Sequence, residues 1–179
     1  MRWRRQAPVP APVRDALVLE PGERVLAVAQ EPVSARAGDA GPAALYVVAT
    51  DRALHVPGSE SDRRLARIPY ESIAKVSWDG ELATLTVVLP DPDGRLDLPL
   101  AEPGYVPETV RERVQSTIVY SQHVPLDGRR GVLVSARRSP GAGETRWVVA
   151  FDAGLDRTDP LVRERAERAV AELRAQTGI

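Results

Sequence analysis

Residues 43–76, AALYVVATDRALHVPGSESDRRLARIPYESIAKV, decide the fold. The first apolar run, Leu45-Tyr46-Val47-Val48, meets Thr50-Asp51-Arg52, where a short polar side chain favours a tight turn. A second run, Ala53 to Val56, returns along the first. After a polar loop, a third passes through Ile68-Pro69-Tyr70 to Ile73. Short apolar runs divided by turn residues predict antiparallel strands rather than helices.

The same grammar extends in both directions. Upstream, Leu17 to Gly22 leads into a strand over 24–30, and the Gly/Pro-rich segment EPVSARAGDAGP then forms a loop. Downstream, Asp-Gly pairs at 79–80, 93–94 and 127–128 fall between apolar runs. Such pairs suit hairpin turns, whose central residues need positive φ. They predict strands near 73–79, 82–89, 94–100, 117–125 and 130–138. Trp147, Val149 and Phe151 alternate with Arg146, Val148 and Ala150, the period of a sheet with unlike faces. There is no long strand–helix alternation, which argues against a parallel Rossmann-type sheet.

Two helices are predicted. Pro107 starts the first, and Val106, Val110, Val114 and Thr117 repeat at one-turn spacing, with Arg111, Glu112 and Gln115 outward. Asp159 caps the second ahead of Pro160, and Val162, Ala166, Ala169, Val170 and Leu173 form its stripe. Arg163/Glu167 and Arg168/Glu172 stand four apart on its other face.

Composition narrows the function. The 179 residues can bury a core built mostly of Ala, Val and Leu, with Phe151 the one Phe. There is no cysteine, which excludes disulfides, thiolate metal sites and a Cys nucleophile. A formal net charge of −1 argues against nucleic acid as the partner. No apolar stretch is long enough to span a bilayer. Met1-Arg2-Trp3-Arg4-Arg5 mimics the start of an export signal, but prolines at 8, 10 and 12 break the segment after it, so the expected location is cytoplasmic. Those prolines also make residues 1–16 read as a mobile arm. Arg2, Arg4 and Arg5 around Trp3 would give it weak, salt-sensitive affinity for anionic lipid.

The pattern of apolar run, Thr-Asp-Arg, apolar run, then Ile-Pro-Tyr-Glu-x-Ile resembles the opening half of bacterial pleckstrin-homology-like (PH-like, GRAM-like) domains. The resemblance covers residues 17–117 and implies a bent antiparallel β-barrel of seven strands capped by a helix, here the one at 107–117. Residues 118–179 are left as a short β-meander and a C-terminal helix, either extending the barrel or packing on it as a layer. The expected class is β-rich α+β. The resemblance implies a binding module without catalysis or cofactor, docking a protein segment or, weakly, a membrane surface. Phosphoinositide-binding relatives place several Lys or Arg in the loop joining the first two strands. Here Glu31 to Ala43 offers Arg36 alone, beside Glu31 and Asp39.

The catalytic inventory is thin. There are two histidines, His55 and His123, each inside a predicted strand, and no serine sits in a Gly-x-Ser-x-Gly elbow. Asp91-Pro92-Asp93-Gly94 and Gly141-Ala142-Gly143 read as turns rather than as calcium or phosphate loops. An enzyme would have to assemble its site from scattered groups such as His55, His123 and Asp97. Arginine clusters remain: Arg63, Arg64 and Arg67; Arg129 and Arg130; Arg137 and Arg138. They read as charges protecting strand edges, or as an anionic docking surface for peripheral lipid if they meet on one face.

Overall fold

A computed structural model describes residues 9–32, 46–58, 64–90, 94–139 and 144–179. Among these residues the chain is β-rich α+β, with ten strands in three antiparallel sheets, three α-helices and a 3-10 turn. The first sheet takes β1 (Val25–Gln30), β2 (Tyr46–Thr50), β3 (Ala53–Pro57) and β4 (Leu65–Pro69) in chain order. The 3-10 turn Tyr70–Ser72 leads into the second, made of β5 (Lys75–Asp79), β6 (Thr84–Val88) and β7 (Arg95–Pro99). Helix α2 (Val106–Ser116) follows. The third sheet is the meander β8 (Ile118–Asp127), β9 (Arg130–Arg138) and β10 (Thr145–Phe151), followed by α3 (Pro160–Thr177).

One core joins the first two sheets to α2. Ala27 and Ala29 of β1, Leu54 of β3, Leu85 and Val87 of β6 and Leu98 of β7 meet Val106, Val110 and Val114 of the helix. The predicted stripe of α2 is thus its buried face, and each fully buried Val or Leu contributes about 1.5–3 kcal/mol. One corner is sutured by backbone: Ala101 N–H donates to Gln30 O at 2.8 Å, tying the end of β1 to the chain beyond β7.

The first sheet is buried on both faces, which is why β2 and β3 are buried along nearly their whole length rather than alternately. Its outer face is covered by α1 (Ala11–Ala16), with Val13 and Ala16 packed on Val25, Val48 and Leu65. Residues 9–16 are therefore not the free arm expected from their prolines. Pro10 is the N-cap and a second proline falls in the first turn, where a missing N–H breaks no helical bond. Residues 1–8, with Trp3 and its flanking arginines, lie outside the described residues.

The Asp79-Gly80 turn also differs from expectation. Asp79 pairs with Thr84, leaving a four-residue loop, and positive φ falls on Ala83 rather than Gly80. Asp79 Oδ1 holds the loop by accepting the Glu81 and Leu82 N–H groups. β6 thus starts at Thr84, and Leu82 is exposed in the loop. Asp127-Gly128 behaves more nearly as read: Asp127 pairs with Arg130, and Gly128 has φ of 58°. The remaining Asp-Gly pair, at 93–94, lies partly outside the described residues.

The third sheet is a separate layer. Its α3 face carries Val132 and Val134 of β9 and Trp147, Val149 and Phe151 of β10, packed with Ala166, Val170 and Leu173. The α3 N-cap is Asp159, whose carboxylate accepts Leu161 N–H at 2.8 Å. Arg168 pairs back to Glu164 at 2.7 Å. On the opposite face Arg137 reaches the rest of the molecule. Its guanidinium donates to Val114 O, Thr117 Oγ1 and Ala74 O at 3.0, 3.1 and 3.2 Å.

Candidate functional site

Thr50-Asp51-Arg52 is the centre of a polar network on the outer face of the first sheet. The Thr50 hydroxyl accepts N–H groups from Arg52 at 3.1 Å and Ala53 at 2.8 Å, closing the turn. Its own hydrogen is directed to Glu23 Oε1 at 2.5 Å. Asp51 Oδ1 accepts Arg24 N–H at 2.8 Å and its N–H donates to Arg24 O at 3.0 Å. The Tyr70 hydroxyl donates to Thr50 O at 3.0 Å, and burial pushes that phenol far above its ordinary pKa.

The Glu23 carboxylate is the hub. Oε1 lies 3.4 Å from His55 Nε2, while Oε2 accepts Glu20 N–H at 2.9 Å and lies 3.6 Å from Arg67 Nε. Burial pushes this carboxyl up, but the Thr50 and Glu20 hydrogen bonds, the Arg67 charge and His55 together hold it below the ordinary range. His55 is driven below its ordinary value by burial, against the pull of Glu23. The Glu23 and His55 side chains are 0 % and 1 % exposed. Closed to solvent, the pair reads as the fastener of the β2–β3 turn rather than as an acid–base couple open to a substrate.

The other groups considered for an assembled site stand apart. His123 is in the third sheet, with Nε2 2.8 Å from Asp152 Oδ2, and that oxygen also accepts Gly131 N–H at 2.8 Å. Asp97 is on the second sheet, where it accepts the Thr86 hydroxyl and a two-pronged bond from Arg95. Among the described residues no three His, Asp or Glu side chains converge as metal ligands.

Among the described residues, Arg67 and Arg137 are turned to partners within the fold. Arg67 turns to Glu20 and Glu23, with Nη2 3.2 Å from Glu20 Oε1, and Arg64 is exposed just before β4. Arg63 and Arg36 lie outside the described residues. Arg129 and Arg130 sit at the β8–β9 turn, and Arg138 ends the same strand, about 26 Å away at ordinary strand rise. Arg137 is 2 % exposed and bound to neutral oxygens, so it cannot serve a docking surface; alternation along β9 turns it inward and its neighbour outward.

The feature that sequence reasoning missed is the open edge of β5, a strand it had otherwise placed. Among the described residues β5 pairs only with β6, so its other edge presents unsatisfied N–H and C=O groups. Lys75, Ser77, Trp78 and Asp79 are all exposed. A groove lies beside α2 over the β5–β6 face, lined by Val76, Ser77, Trp78 and Leu85 of the sheet and by Pro107, Glu108 and Arg111 of the helix. The Arg137 bridge holds the C-terminal end of α2 against Ala74, while Pro107 lies at the Trp78 end. The helix therefore runs antiparallel to the strand.

No known family model, curated protein or solved structure matches the chain.

Proposed function

We propose that the chain is a PH-like binding module without catalytic activity, docking an extended protein segment as an added strand along β5. The observation that carries this reading is the β5 edge, left without a pairing strand among the described residues, beside a groove lined by Val76, Trp78, Leu85 and Pro107. Strand addition satisfies the edge by main-chain hydrogen bonds, and the groove takes alternate side chains of the incoming segment. Sheets of four and three strands, with a helix after the seventh strand, support the PH-like assignment. The closure of the His55–Glu23 pair to solvent supports a binding role over a catalytic one. The engagement of Arg67 and Arg137 within the fold favours a protein segment over an anionic membrane surface.

Selection of a random dodecapeptide display library on the intact protein tests the proposal. Enriched peptides are expected to protect the 76–79 amides from hydrogen exchange and to lose binding on Val76→Arg. Absence of enrichment, or binding indifferent to Val76→Arg, overturns it.

A further inference from the structure

The charge order around β5 specifies the segment that docks there. This inference rests on the strand-docking reading above. Alternation along β5 puts the Val76 and Trp78 side chains on the face of Val87 and Leu85, beside α2, and those of Lys75, Ser77 and Asp79 on the face of Val88, Thr86 and Thr84. The side chains facing outward thus run from a cation at one end to an anion at the other. Helix α2 repeats that polarity. Because it runs antiparallel to β5, Glu108 lies at the Trp78 end and Arg111, almost one turn further, lies toward Val76. Glu81 in the loop after β5 adds a second anion at the Asp79 end. At the other end Lys75 also feels the field of Asp152 from the third sheet.

We infer that the partner is an extended segment of pattern basic–apolar–any–apolar–acidic, running antiparallel to β5. All pairing in the second sheet is antiparallel, and antiparallel ladders are slightly the more stable kind. In that direction the first residue of the segment faces Asp79 and must be Lys or Arg. The second and fourth oppose Trp78 and Val76 and fill the groove, so they are apolar. The fifth faces Lys75 and must be Asp or Glu. Opposite charges directly across a strand pair attract and like charges repel, so this order fixes both direction and register.

A capped peptide with Lys-Val-Thr-Val-Glu at its centre tests the inference against one with Glu-Val-Thr-Val-Lys, read by NMR titration of the intact protein. The first is expected to shift the 75–79 amides and to bind about tenfold more tightly than the second, since two end pairs change from attraction to repulsion. Lys75→Glu is expected to weaken the first peptide and to favour Lys-Val-Thr-Val-Lys over it. Lys75 is exposed, so this variant keeps the fold. Equal binding of both orders at β5 overturns the charge inference and leaves strand docking standing. Failure of both peptides, while library-selected segments bind β5, overturns it in the same way. Shifts confined to another surface, such as the groove between β10 and α3, overturn both readings.

Discussion

His55 Nε2 lies 3.4 Å from Glu23 Oε1, with both side chains closed to solvent and both groups held below their ordinary pKa. Glu23 ionised needs a donor, so the imidazole hydrogen is assigned to Nε2. Nδ1 is buried without a hydrogen-bond partner. Neutral His55 is therefore the form that the fold selects.

That selection sets a pH dependence. A group with a depressed folded pKa contributes stability that is complete above its unfolded value and is lost as pH falls through the folded one. For His55 the loss begins near the unfolded value of about 6.5 and grows as pH falls. For Glu23 a second loss follows below the ordinary glutamate range. Urea unfolding at stepped pH is expected to show stability falling from pH 7 to 5, with a smaller fall in His55→Gln. An undiminished fall in that variant would place the titration elsewhere.

Arg137 joins the third sheet to the rest of the molecule without any carboxylate partner. Its charge is met by Val114 O near the C-terminal end of α2, by Thr117 and by Ala74 O, and burial lowers its pKa. A helix C-terminus stabilises a cation, which compensates part of the desolvation. Arg137→Met removes three hydrogen bonds and deprives Ala74 O of its guanidinium donor, at a cost of about 3 kcal/mol. Arg137→Lys keeps the charge without the fork and is expected to recover only part of it. Hydrogen exchange in Arg137→Met is expected to rise first in β8 and β9, and a uniform rise would mean that Arg137 supports the whole fold equally.

Strand order was legible because burial imposes periodicity, and β9 illustrates both the success and its limit. Val132, Val134 and Ala136 mark the α3 face, while Leu133 and Ser135 share the opposite face with Arg137. A strand with few polar residues on either face signals a sheet covered on both sides, yet two adjacent arginines look alike until one face is known to be covered. Helix α1 was hidden by its prolines, which disfavour a helix interior but suit a first turn. The Glu23 network was hidden by distance: Thr50 and His55 stand 27 and 32 residues from Glu23. The free edge of β5 is defined by the absence of a pairing strand among the described residues, and no local pattern encodes that.

The apolar stripe of α3 is only partly buried. Ala166, Ala169 and Leu173 are 4 %, 6 % and 3 % exposed, whereas Val162 and Val170 are half-buried, Val170 beside the groove at β10. Leu173 is the one large side chain of the stripe that the fold closes completely. Leu173→Ala is expected to cost about 2–3 kcal/mol, and Val162→Ala less than half of that. Equal costs at the two positions would mean that the helix seats differently on the sheet.

Two glycines near the β8–β9 turn carry opposite constraints. A Cβ on Gly131 would lie 2.0 Å from Val124 O and 2.7 Å from Pro125 Cα. Both are backbone atoms of the paired strand, so relief requires β8 to move. The register there is already irregular between Pro125 and Asp127. At Gly128 the space is open, with nothing within 4 Å of the added carbon, but φ is +58°. Its constraint is conformational alone, worth about 1 kcal/mol against alanine, and asparagine tolerates that region better. Gly131→Ala is therefore expected to cost several times more than Gly128→Ala, and Gly128→Asn least of all, measured as shifts in urea midpoint. Gly131→Ala is also expected to loosen the His123–Asp152 pair, because Asp152 Oδ2 holds the Gly131 N–H as well as the imidazole. A Gly131→Ala protein as stable as Gly128→Ala would show that β8 does not approach β9 this closely.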